Sequence, residues 1–96
     1  KKNNILFWGA GRIFDGITKL SNLTSHKNIH IYDKNLIGHF KTRNGFKLLE
    51  EKKINHINNK DIFKVIVCSE ADFSEIKFEA RKLGFKNIIK YDTLLQ

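Results

Sequence analysis

The sequence predicts an α/β fold, a small parallel sheet with helices on both faces. Three observations carry this expectation. Short apolar runs recur along the 96 residues. Amphipathic stripes lie between them, and parallel strands need crossovers that helices supply. The first apolar run also turns through glycine directly into a helical pattern.

The elements follow in order. Ile5-Leu6-Phe7-Trp8 is a continuous apolar run stopped by Gly9, the mark of a strand buried on both faces. From Arg12 to Leu23, Ile13, Ile17 and Leu20 fall at helical spacing with Phe14 beside them. Ile29-His30-Ile31-Tyr32, closed by Asp33, predicts a second strand. Asn44-Gly45 is a turn signal, and Phe46 to Leu49 after it is a candidate third strand. Glu50 to Lys60 is polar and fits a helix or a loop. Phe63 to Cys68 is the strongest strand pattern, β-branched and bounded by polar residues. Asp72 and Glu75 then have capping-box spacing. Phe73, Ile76, Ala80 and Leu83 line one helical face, with Phe78 off that stripe, and Gly84 stands where a left-handed cap belongs. Asn87 to Tyr91 supplies the last strand. The expected architecture is a Rossmann-like sheet of four to five strands in the order 3-2-1-4-5.

Composition narrows the function classes. A chain of 96 residues with 41 % hydrophobic and 29 % charged residues has the make-up of one globular domain, spanning 1–96. It has no initiating methionine, and we expect a domain excised from a longer protein. No apolar run reaches the length of a membrane span. The single cysteine, Cys68, excludes an internal disulfide framework and fits a reducing, cytoplasmic setting. The net charge of +8 lies almost wholly in residues 1–49, where nine basic residues face Asp15 and Asp33. Fifteen of the 18 basic residues are lysine, and no arginine-rich recognition helix is visible. The charge is therefore read first as the lysine-rich usage of an AT-rich genome on a solvated surface, with attraction for phosphate near one turn as its functional alternative and a nucleic-acid surface as the least favoured.

That turn is Gly9-Ala10-Gly11-Arg12. Gly9 permits a tight strand-to-helix turn, and Gly11 lets a ligand approach the backbone without meeting a Cβ. The open amides of the new helix then point at an incoming anion. Twenty-two residues after Gly11, Asp33 ends the second strand, where a carboxylate can accept both hydroxyls of an adenosine ribose. It disfavours a 2′-phosphate, which points to NAD; S-adenosylmethionine shares the same glycine turn and acidic strand end. Ser69, after the fourth strand with Glu70, lies beside the switch point where open sheets bind ligands. The third glycine of a dinucleotide fingerprint is replaced by Phe14. A ring there is expected to push the helix outward or narrow the pyrophosphate site. Gly11 and Gly16 have P-loop spacing, but Ile17 occupies the place of the phosphate-binding lysine.

Ile5 to Gly11 resembles the I-x-I-W/Y-G-A-G opening of Rossmann-like domains attached to bacterial polysaccharide and nucleotide-sugar enzymes. Such domains occur at the amino end of sugar epimerase/dehydratases, at the carboxyl end of sugar C-methyltransferases, and fused to glycosyltransferases. The resemblance covers nearly the whole chain. It takes in the strand ending at Asp33, the segment from Asn44 to Leu49, Phe63 to Ser69, Phe73 to Gly84, and the closing strand from Lys86 to Leu94. It implies a nucleotide-binding or accessory domain, often without catalysis of its own, partnered by the catalytic domains of its parent chain and by a nucleotide or nucleotide-sugar.

Nothing in the sequence assembles an acid, a base and a nucleophile. Tyr32 and Tyr91 lack a lysine four residues on, and no G-x-S-x-G is present. Cys68, at the end of a strand, is expected to be a small core residue, as is Trp8. His26, His30, His39 and His56 lack metal spacing and are expected on the surface or in loops. The leading expectation is a non-catalytic nucleotide-binding domain, with Gly9, Ala10, Gly11 and Arg12 at phosphate, Asp33 at ribose and Ser69 closing the far side. The alternatives are a ligand-free docking module, to which Phe14 and Phe78 point, and a methyltransferase-related domain.

Overall fold

A computed structural model describes residues 4–9, 11–20, 29–34, 36, 39, 41–69 and 73–92. Its elements are β1 (Asn4–Trp8), α1 (Arg12–Leu20), β2 (Ile29–Tyr32), β3 (Thr42–Arg43), β4 (Phe46–Leu48), α2 (Glu51–Asn55), a 3₁₀ turn (Lys60–Ile62), β5 (Phe63–Val67), α3 (Phe73–Lys82) and β6 (Asn87–Lys90). The sheet order is β3-β4-β2-β1-β5-β6. Five strands, from β4 to β6, are mutually parallel and have the expected 3-2-1-4-5 order. The sixth, β3, runs antiparallel to β4 and was not expected. It arises because Asn44 and Gly45 both take positive φ, 53° and 85°, the conformation of a two-residue hairpin turn. The Asn44 side-chain amide donates to Asp15 Oδ1 at 2.8 Å and to Thr18 Oγ1 at 3.2 Å, which fixes the hairpin against α1.

Alternation along the strands sends side chains into two cores. Leu6, Trp8, Tyr32, Val65 and Val67 face one side with Ile54 of α2 and Ala80 of α3. Phe7, Ile29, Ile31 and Ile66 face the other with Phe14 of α1. Helices therefore cover both faces, as the continuous apolar runs of β1 and β5 require. Ile13 and Ile17 of the α1 stripe pack half-buried against this second core, and Phe14 beside them is fully buried, its ring edge-on to Phe7 at 5.2 Å and to Phe46 at 6.1 Å.

On α3, Phe73, Ile76, Ala80 and Leu83 pack into the core as one face. Gly84 has φ +110°; its amide donates to Arg81 and that of Phe85 to Ala80, the two bonds of a Schellman cap. Lys60 Nζ donates to the Leu83 carbonyl, adding a distant cation at the helix C-terminus. The polar stretch after β4 forms the five-residue α2 and the 3₁₀ turn. The Asp72 half of the capping box, the end of the first helical pattern beyond Leu20, and His26, Glu70 and Leu94 lie outside the described residues. Phe78 is 65 % exposed, with Lys82 Nζ 5.4 Å from its ring centre. Among the described residues, no helix is long and apolar enough to cross a membrane.

Candidate functional site

The strand ends of β1, β2 and β5 are locked together where their carboxyl edges meet. Gly9 N–H donates to Tyr32 O at 2.8 Å, and Cys68 N–H donates to Trp8 O at 2.9 Å. These bonds carry the ladder one residue past β1 and set the floor of the turn. Gly9 has φ +97°, and a Cβ added there would stand 3.3 Å from the Cys68 carbonyl oxygen. Both the backbone angle and the close approach demand glycine. Gly11 differs: a Cβ there would meet nothing within 4 Å. Its openness leaves the backbone accessible, and its carbonyl accepts Asp15 N–H at 3.0 Å as α1 begins.

A cleft of about 440 Å³ opens above this turn, lined by Gly9, Gly11, Asp33 and Ser69. Four of the six residues expected at a ligand are thus brought to one place. The cleft sits between the β1–α1 turn and the β5–α3 connection, where crossovers leave to opposite faces and an open sheet leaves a crevice. Its volume is within the range of small-molecule sites. Arg12 is exposed at the first residue of α1 and lies outside this lining; Ala10 is outside the described residues. Asp33 is half-buried just beyond β2, and its carbonyl accepts Leu36 N–H at 3.1 Å.

The remaining wall comes from residues that sequence reasoning did not select. Lys34, Glu75, Ile76 and Glu79 line the cleft with the edge of Trp8. Lys34 Nζ and Glu79 Oε2 form an ion pair at 2.6 Å, joining the end of β2 to α3. Glu75 and Glu79 are four residues apart, so one helical face presents both carboxylates. That spacing, on the helix following the strand next to β1, was the available signal.

Phe14 does not line the cleft, since its ring points into the core beneath α1. The large residue in place of the third glycine is thus accommodated between the helix and the sheet.

Neither polar group at the strand ends is set up to attack a substrate. Burial pushes the Cys68 thiol up to about 12, so it is fully protonated near neutrality. Tyr32 is also held at about 12, by burial first and then by the charges of Glu51 and Glu79. Its hydroxyl donates to Glu51 Oε1 at 3.4 Å. His30 corrects an expectation. It stands in the predicted strand but is half-buried rather than on the surface, because β2 alternation turns it toward the face where Phe63 lies, with ring centres 6.0 Å apart. Its Nδ1 is buried without a hydrogen-bond partner, and burial and then the charge of Lys47 lower its pKa. His39 and His56 are exposed, as expected. Among the described residues, no group of three His, Cys, Asp or Glu side chains could hold a metal ion.

Comparison of the chain with protein-family models, curated proteins and solved structures gives no match.

Proposed function

We propose that the cleft binds the nucleoside part of a nucleotide, and that the chain is a nucleotide-binding accessory domain of a larger polysaccharide-biosynthesis enzyme. The observation that carries the binding reading is the convergence of Gly9, Gly11, Asp33 and Ser69 on one cleft at the sheet's switch point. Gly11 offers backbone amides without a Cβ, and Asp33 offers a carboxylate for a ribose diol. The assignment to polysaccharide chemistry draws on the resemblance of Ile5 to Gly11 to such domains. NAD, a nucleotide-sugar and S-adenosylmethionine are the ligands that this arrangement brings into consideration.

The test is a thermal-shift and NMR titration with NAD, NADP, S-adenosylmethionine and UDP-sugars, with Asp33→Ala as control. A ligand at 100 times its Kd should stabilise the domain by about 2.7 kcal/mol, and Asp33→Ala should remove most of that gain. No response to any of them at millimolar concentration would sink the reading. A second reading, a ligand-free docking module for the catalytic domains of the same kind of enzyme, is favoured by the exposure of Phe78 on α3. It would then be the better account.

A further inference from the structure

The Lys34–Glu79 ion pair crosses the cleft from one wall to the other. Lys34 leaves the end of β2, and Glu79 stands on α3, which follows β5. β1 lies between those two strands, so the pair, at 2.6 Å, reaches across the carboxyl end of β1. Both partners line the cleft together with Trp8 and Gly9. We propose that this ion pair is a strap over the end of β1, closed across Trp8 in the free protein and opened to pass a ligand. As a gate it rests on the nucleoside-binding reading and adds the control of entry to that site.

Three observations support a movable strap. The first is cover. Trp8 ends β1 at the edge of the cleft, yet only 5 % of it is exposed. It shares a side of the sheet with Tyr32 and with Ala80 of α3, and Glu79 directly precedes Ala80. The second is a weak hold. The two side chains are 54 % and 37 % exposed, and an exposed ion pair favours its closed form by no more than about fivefold. Such a pair opens readily in water, as a wall of buried side chains does not.

The third is room to open. Glu79 also lines a neighbouring hollow of about 230 Å³, with Tyr32, Glu51, Lys52 and Asn55. Released from Lys34, its carboxylate can turn into that hollow. Lys52 and Asn55 stand there as well as Glu51, so it meets polar groups of both kinds rather than a dry core.

Trp8 is the one tryptophan of the chain, so its fluorescence reads the strap directly. The experiment measures quenching by acrylamide, a neutral probe, in the parent, in Lys34→Glu and in the charge-swapped Lys34→Glu/Glu79→Lys. Lys34→Glu sets two carboxylates against each other and should raise the Stern–Volmer constant about twofold, within the range open to an exposed pair. The charge swap should return it to the parent value. Circular dichroism checks that each variant is folded, as substitutions at exposed positions allow. The same proteins are then followed by stopped-flow binding of adenosine, whose neutrality removes any direct pull from either charge. Association and dissociation should both quicken about two- to fivefold in Lys34→Glu and slow again in the swap. Unchanged quenching in Lys34→Glu, or a swap that fails to reverse it, would overturn the strap. Unchanged rates with adenosine bound would overturn its role as a gate and leave nucleoside binding intact. Absence of adenosine binding to the parent at millimolar concentration would overturn the gate and the nucleoside reading together.

Discussion

Replacing Phe14 by alanine removes a fully buried ring that meets Phe7 edge-on at 5.2 Å and Phe46 at 6.1 Å. Truncating a buried phenylalanine costs about 3–5 kcal/mol, the lost transfer energy plus that of the cavity. The two aromatic contacts favour the upper part of that range. A domain of this size has only about 5–15 kcal/mol of stability in all, so the variant should lose a large share of it. The melting temperature should fall by at least about 12 °C, at about 4–8 °C per kcal/mol. Phe14→Gly, which restores the glycine of the dinucleotide fingerprint, should be worse by about 1 kcal/mol for a glycine inside a helix. The assay is urea unfolding followed by far-ultraviolet circular dichroism, with the exposed Phe78→Ala as a control that should stay within about 0.5 kcal/mol of the parent. A loss below about 1 kcal/mol for Phe14→Ala, or a Phe14→Gly chain more stable than Phe14→Ala, would refute the idea that this ring replaces the glycine as a core element.

The two glycines of the turn should separate in the same assay. Gly9→Ala should cost about 1–3 kcal/mol because of its φ of +97° and the 3.3 Å approach to Cys68 O, whereas Gly11→Ala, in open space, should change stability by less than about 0.5 kcal/mol. Native Cys68 should resist iodoacetamide at neutral pH and react at the rate of a free thiol once urea unfolds the chain. Because Cys68 and Tyr32 ionise at about 12 when folded, against 9.0 and 10.0 ordinarily, stability should be intact below pH 9 and decline as pH rises from 9 to 12. His30 has the opposite sign. Its folded pKa lies below 6.5, so the unfolded chain takes up a proton first and stability should fall as pH drops below about 6.5. Urea midpoints for His30→Leu should be flatter with pH over that window.

The sheet order was legible because β1 and β5 are apolar on both faces, and such strands leave few alternatives to a parallel sheet between helices. The α3 cap was legible as well, since a glycine one position past a helical stripe has one common use. The β3 strand was not, because Thr42 and Arg43 form a two-residue strand with no hydrophobic pattern; only Asn44-Gly45 marked it. His30 was misplaced because its polarity was weighed and the alternation of β2 was not. At the cleft, Gly9, Gly11, Asp33 and Ser69 were visible as strand-end residues, each tied to a turn. Lys34 and Glu79 were not, because their pairing spans 45 residues and depends on how α3 crosses the strand ends. The +8 total, read chiefly as coding usage on a solvated surface, said little about the cleft, whose lining among the described residues holds Asp33, Glu75 and Glu79 with Lys34.

The Phe14 substitution is a matter of packing. In a dinucleotide fingerprint the third glycine lets helix and strand approach closely. Here a buried ring fills the space between α1 and the sheet, while Gly9 and Gly11 still line the cleft and Phe14 does not. The substitution therefore changes how α1 is held on the sheet rather than what the turn presents to the cleft, and this is why Phe14→Ala is read out in stability.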